Sequence, residues 1–216
     1  MTSSDDFLHH FEPARRPDAP TLLLLHGTGG DERNLLELGR ALDADAALLS
    51  PRGKVSEGGM PRWFRRSAEG IFDTEDLIVR THELADFTRA ASDHYDLDTA
   101  GLIAVGFSNG ANIAAAMLLL RPGILRAAVL LAPMVPLDPT TTVDLSEVAV
   151  FIGAGRNDPI APVEQAEALA EMLTDRGAAV ELHWHGGGHG IDATTLNAAS
   201  AWLGKVRTAI AADPLP

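Results

Sequence analysis

Short apolar runs alternate with helical periods along this chain. Runs at FLHHF (7–11), TLLLL (21–25), AALLS (46–50), GLIAV (101–105), AAVLLA (127–132), VAVFIG (148–153) and AVELHW (179–184) are strand candidates. Most have the apolar continuity of strands buried on both faces. Helices are predicted between them, near 31–44, 75–95, 109–121, 163–176 and 194–211. The fourth is the most regular: Val163, Ala166, Leu169, Ala170 and Leu173 form one apolar face, with Pro162 suited to the first helical position. This alternation predicts an α/β fold, a largely parallel central sheet with helices on both faces. Residues 51–74 show no clear period, and a loop of that length in a compact domain is usually functional or mobile. Ligands of such sheets bind beyond the carboxyl ends of the strands. The polar residues that follow each run therefore matter most.

Three of them form a chemical set. Ser108 lies in GFSNG (106–110), directly after GLIAV and before a helical stretch. The pattern matches the G-x-S-x-G turn, which lifts a serine oxygen clear of the backbone. Side chains at 106 or 110 would collide with the neighbouring strand and helix, and the helix would turn its positive end toward the hydroxyl. By itself the motif also reads as a glycine-rich turn with an incidental serine. Asp158, in GRNDPIAP, follows the next-but-one strand; it could fix the tautomer of a histidine ring, or simply cap an Asp-Pro turn. His189, in HGGGHG, sits among glycines that suit a ring reaching across to a serine, the alternative being a solvated loop histidine. The order Ser108, Asp158, His189 is that of the α/β-hydrolase triad. The loop HGTGG (26–30) after TLLLL then fits an oxyanion loop, with backbone N–H groups of Thr28 and Asn109 as donors. One such donor is worth roughly 3–4 kcal/mol. A phosphate-binding turn is disfavoured, because the loop lacks G-x-G-x-x-G spacing and a P-loop lysine. His26 is expected to shape this loop through hydrogen bonds.

As a set, HGTGGDERNLLELG, the PRGKVSEGG…RWF loop, GFSNGANIA, GRNDPIAP and GGGHG resemble the bacterial phospholipase/carboxylesterase family of serine hydrolases. The most similar branch is that of small carboxylesterases linked to hydroquinone metabolism. The motifs run from about residue 21 to 203. The resemblance implies Ser108 as nucleophile, His189 as base, Asp158 as acid, and Thr28 and Asn109 as oxyanion donors. It also implies an α/β-hydrolase fold and suggests a homodimer. The chemistry needs no metal and no organic cofactor. RWFRR departs from the Trp-Phe-Asp pattern of relatives of the acyl-protein thioesterase type, and an extra glycine precedes His189.

Composition narrows the setting. At 216 residues the chain suits a single domain, 1–216. A net charge of −13 argues against nucleic-acid and anionic-membrane partners; the resemblance implies a small-molecule ester as the partner. Cysteine is absent, which excludes disulfides, thiolate metal sites and a cysteine nucleophile. No signal-peptide pattern or bilayer-length apolar run is present, so a cytoplasmic protein without membrane insertion is expected. Only about 16 residues (133–148) separate AAVLLA from VAVFIG, too few for a lid domain. An open site for short- to medium-chain esters follows. Thioester or lysophospholipid hydrolysis would use the same residues, and a non-catalytic binding protein of this fold is the competitor from another class.

Three further features carry alternatives. Trp63 and Phe64 fit either the floor of an acyl or aryl pocket, together with Met60, Phe72, Met134 and Ile160, or an anchor that pins the long loop to the core. Segment 52–66 holds Arg52, Lys54, Arg62, Arg65 and Arg66 against Glu57 alone, so it either attracts anionic substrates or pairs with the acidic surface. His183, His185 and His189 raise a zinc site as a competing reading, but the absence of cysteine and of a nearby carboxylate favours ordinary strand residues.

Overall fold

Each predicted apolar run becomes a strand of one sheet. The computed structural model describes residues 7–68, 70–98, 101–139 and 141–212. Its strands are β1 (His9–Glu12), β2 (Thr21–Leu25), β3 (Ala47–Pro51), β4 (Val55–Glu57), β5 (Met60–Arg62), β6 (Arg66–Ala68), β7 (Ile71–Phe72), β8 (Leu102–Phe107), β9 (Ala127–Leu131), β10 (Ala149–Gly155) and β11 (Ala179–His185). Its helices are α1 (Leu36–Leu42), α2 (Thr74–Tyr95), α3 (Asn109–Leu120), α4 (Val163–Thr174) and α5 (Ala193–Ala212). The seven-stranded sheet runs β1-β3-β2-β8-β9-β10-β11, parallel throughout except for β1.

The continuous apolar runs are explained by two cores. Leu23 and Leu25 of β2 point into one, with α2, α3 and α4; Leu22 and Leu24 point into the other, with α1 and α5. Val150 and Ile152 against Phe151 divide β10 in the same way. Each fully buried leucine contributes about 1.5–3 kcal/mol. Helix α3 lies deepest, with every residue from Asn109 to Leu119 buried.

Two expectations are corrected. The helix predicted over 31–44 is confined to Leu36–Leu42, because Asp31 first closes a turn: its carboxylate accepts from Arg33 N–H (2.9 Å) and its carbonyl from Asn34 N–H (3.2 Å). The stretch 51–74 is not one loop but carries two hairpins, β4–β5 and β6–β7. Gly58 and Gly59, both at positive φ (59° and 84°), make the first turn, as a two-residue hairpin loop requires. No helix or strand lies between β9 and β10 among the described residues, and no described helix is long and apolar enough to cross a membrane.

The strand order reverses between β2 and β8, so their carboxyl ends flank the crevice where such sheets bind ligands. Two glycines make this crevice tight. A Cβ on Gly110 would overlap the carbonyl oxygen of Leu25 and lie 2.6 Å from that of His26; one on Gly106 would lie 2.5 Å from Gly110 O. His26, buried at the end of β2, ties the loops together: its Nδ1 faces Gly27 O (2.7 Å), and its Nε2 accepts from Gly53 N–H (3.0 Å). Nε2 can accept only in the neutral ring, and burial pushes the pKa of His26 below its ordinary value of 6.5.

Two outcomes follow. Gly110→Ala should lose at least about 3 kcal/mol of stability, whereas Gly204→Ala, with open space around it in α5, should gain roughly 0.5–1 kcal/mol; chemical denaturation reads both. Because the folded-state pKa of His26 is depressed, its contribution is fully present above pH 6.5 and is lost as pH falls toward the folded value. In that window the slope of unfolding free energy against pH should be shallower for His26→Gln than for the wild type, by up to about 1.4 kcal/mol per pH unit.

Candidate active site

Ser108 stands between β8 and α3 with φ 52° and ψ −117°. A side chain in that region costs about 1–3 kcal/mol, and the flanking glycines are what let the turn form. The Ser108 N–H donates to Leu131 O (2.8 Å), tying the turn to β9. Asn109 opens α3, so its N–H has no acceptor one turn earlier in the helix. Across the crevice, Gly30 N–H donates to Gly27 O (3.0 Å), closing a turn with Thr28 and Gly29 at its corners, Gly29 at φ 83°. The turn itself leaves the N–H of Thr28 unused.

Asp158 and His189 come from the ends of β10 and β11. The loop after β11 crosses over the end of β10, where Gly155 gives way: a Cβ there would lie 2.6 Å from Gly187 O. Arg156 N–H donates to His185 O (2.9 Å) and Asn157 N–H to Gly187 O (3.1 Å), so the two loops are laced together. Asp158 is buried, and its Oδ1 accepts from the N–H groups of Ile160 (2.8 Å) and Ala161 (2.9 Å). Its Oδ2 lies 2.7 Å from His189 Nδ1, and His189 Nε2 lies 2.9 Å from Ser108 Oγ. A hydroxyl, an imidazole and a carboxylate thus form one hydrogen-bonded line. The carboxylate can hold Nδ1 protonated, which leaves Nε2 to accept the serine proton.

These groups open into a cleft of about 290 Å³ lined by Thr28, Arg62, Arg66, Gly70, Phe72, Phe107, Ser108, Asn109, Asn112, Met134, Ile160 and His189. Phe72, Met134 and Ile160, expected at the pocket, line it, and Met60 does not. Nor do Trp63 and Phe64: they are 1% and 0% exposed and belong to the core beneath. Their bulk fills the space between the long segment and α2, and Trp63 Nε1–H is committed to His26 O (2.8 Å). The anchor reading of Trp63 therefore holds, and Phe72, edge-on to Phe64 at 5.2 Å, takes the aromatic place in the cleft.

Five lining residues, Gly70 among them, are not marked as pocket residues by the sequence pattern. Asn112 is a polar residue in an otherwise apolar helix, and that was its signal; its Oδ1 accepts from Met134 N–H (2.8 Å) and so fixes the pocket wall. Phe107, the x before the serine, packs its ring 5.3 Å from that of His189. Arg62 and Arg66 were noted only as part of a basic segment. All five cations of that segment are paired: Arg52 with Glu32, Lys54 with Glu83, Arg65 with Asp73 and Asp76, and Arg62 and Arg66 both with Glu57. Only the last two line the cleft. His183 stacks on Phe151 and His185 is buried, its Nδ1 accepting from Gly187 N–H (3.1 Å). Among the described residues no group of three His, Asp or Glu is placed to hold a metal ion.

The model of the phospholipase/carboxylesterase family matches residues 9–207. A putative hydrolase of Bacillus subtilis, MhqD, is 48% identical over 84% of this chain and 90% of its own length. The crystal structure of the Bacillus cereus carboxylesterase superposes with a TM-score of 0.91 at 45% identity, over 93% of this chain and 95% of that one. YahD, solved with malic acid, gives a TM-score of 0.87 at 33% identity, over 93% and 99%. The chain therefore belongs to the phospholipase/carboxylesterase family: it is a hydrolase of the α/β-hydrolase fold.

Proposed function

We propose that this protein is a carboxylesterase that cleaves short- to medium-chain carboxylic esters through an acyl-enzyme intermediate. One observation carries the reading: Ser108 Oγ, the His189 ring and Asp158 stand in line at 2.9 and 2.7 Å at the edge of a cleft. Ser108 Oγ attacks the ester carbonyl while His189 Nε2 takes its proton. The tetrahedral oxyanion is met by the N–H groups of Thr28 and Asn109, fixed donors that need no reorganisation. Collapse breaks the bond to the alkoxide, which leaves with the proton from His189. Water then gives its proton to His189 and attacks the acyl-serine, and the acid departs as Ser108 is reprotonated. A volume of about 290 Å³ suits a short acyl group in the cleft, with longer chains running out past exposed Ile160.

p-Nitrophenyl esters of increasing acyl length test this, with Ser108→Ala in parallel. Turnover should fall on the order of a millionfold in the variant, as in the best-studied serine hydrolase. A rate retained by Ser108→Ala would remove the serine from the chemistry. Faster cleavage of acyl-CoA or lysolipid than of simple esters would assign the same residues to thioester or phospholipid substrates.

Within the ester class, one feature favours substrates that carry a carboxylate: Arg62 and Arg66 are among the residues that line the same cleft as Ser108. The malic acid in the YahD structure is a small dicarboxylate of the kind such a wall would suit. The monoethyl ester of succinate should react about tenfold faster than ethyl pentanoate in the wild type, and Arg66→Gln should erase most of that ratio. Equal rates for both esters, with the same salt dependence, would leave Arg66 with a structural role only.

A further inference from the structure

Segment Pro61–Arg62–Trp63 touches both sides of the crevice. Pro61 O accepts from Gly29 N–H at 2.9 Å. Arg62 Nη1 donates to Thr28 Oγ1 at 3.0 Å. Trp63 Nε1–H donates to His26 O at 2.8 Å, and Trp63 N–H to the side-chain oxygen of Asn109, also at 2.8 Å. Three consecutive residues thus hold the turn that carries Thr28 at three points and the first residue of α3 at a fourth.

The sheet alone does not fix this spacing. The last paired residues of β2 and β8 are Leu25 and Gly106, three residues short of both Thr28 and Asn109. Beyond that pair the approach of Gly110 to the carbonyls of Leu25 and His26 brings the two turns together, but it leaves the placement of the Thr28 amide within its own turn to whatever else holds that turn. We propose that Pro61–Trp63 is what holds it, a bridge that sets the spacing of the Thr28 and Asn109 N–H groups, with Arg62 and Trp63 as positioning residues. The proposal rests on the reading of those two amides as the oxyanion donors.

Its rigidity supports the role. Trp63, Arg62, His26 and Asn109 are each no more than 3% exposed. The segment is also braced from behind: a Cβ on Gly53 would lie 2.6 Å from the carbonyl carbon of Arg62, and the Gly53 N–H is bound to the His26 ring. The Arg62 guanidinium is itself held, by Phe64 O (3.3 Å) and by Glu57 (3.2 Å). Three of the four bonds end on Thr28, on its neighbour Gly29 or on Asn109, and the fourth on His26, two residues before Thr28. Oxyanion donors must stand 2.7–3.1 Å from where the charge develops, and an error of about 1 Å can cost on the order of 100-fold in rate.

The test compares Thr28→Val, which keeps the backbone N–H and the side-chain shape but removes the acceptor for Arg62, with Thr28→Ser, which retains that acceptor. Trp63→Phe cuts the bond to His26 O, and Leu173→Ala, fully buried at the C-terminal end of α4, serves as a core control. For each we would measure kcat and KM on p-nitrophenyl butyrate, the inhibition constant of a trifluoromethyl ketone that mimics the tetrahedral adduct, and Tm. Thr28→Val and Trp63→Phe should lower kcat by about 10–100-fold with KM within about threefold, and weaken the ketone in parallel. Thr28→Ser, which keeps both the N–H and the acceptor, should lose clearly less kcat than Thr28→Val, and Leu173→Ala should lose Tm but not kcat. Unchanged kcat and ketone affinity in Thr28→Val and Trp63→Phe would overturn the proposal, as would equal losses in Thr28→Ser and Thr28→Val. Turnover that survived Ser108→Ala would instead sink the esterase reading beneath it, and the catalytic role of the bridge with it.

Discussion

The contact between the start of α3 and the carboxyl end of β2 governs the rest of the site. Gly110 sits where any side chain would run into the carbonyl groups of Leu25 and His26. Only because the helix comes that close do Ser108 and Asn109 stand beside the turn that carries Thr28. The approach forces Ser108 into a backbone conformation that costs about 1–3 kcal/mol. Burial of α3 on all sides offsets it, since Ile113, Met117 and their neighbours each remove apolar surface from water. The strain can persist because the core around it leaves the turn nowhere to relax.

The other half of the site is built differently. Asp158 and the loop bearing His189 are joined less by packing than by backbone hydrogen bonds between two loops, over a glycine that lets one pass across the other. The two halves meet at the His189–Ser108 bond and at the contact between the Phe107 and His189 rings. In the proposed mechanism the imidazole serves the serine, the leaving group and a water in turn. A ring held at Nδ1 by a buried carboxylate, on a glycine-rich loop, can serve all three without moving its anchor.

The strand ends were legible in the sequence because the chemistry there is local. A serine between glycines after an apolar run, an Asp-Pro pair past the next-but-one strand and a histidine among glycines can each be read without knowing what lies across the sheet. The long stretch 51–74 was not legible, and the reason is physical. Its two hairpins are short and half-exposed, with little apolar alternation to read, and the one local signal was the Gly-Gly pair at 58–59. Trp63 shows the deeper limit. An aromatic beside a predicted site fits a pocket floor and a core anchor equally well, because both environments are apolar; what separates them is the partner of the indole N–H, and His26 lies 37 residues away.

Arg62 extends the same point from packing to charge. A buried guanidinium costs several kcal/mol unless its donors are met, so a buried arginine marks a place where several acceptors converge. Here they come from different parts of the chain: Glu57 on the neighbouring strand, Phe64 O just beyond the arginine's own strand, and Thr28 Oγ1 across the crevice. Lysine could not hold three such acceptors in a fixed plane, since its charge is a single rotating head. A flat fork imposes the same geometry on whatever it binds. That makes Arg62 suited to fixing one loop against another at the wall of the cleft that holds Ser108. The segment with the least regular pattern in the sequence thus joins the two halves of the crevice, because joining them requires polar side chains at spacings that no helix or strand period sets.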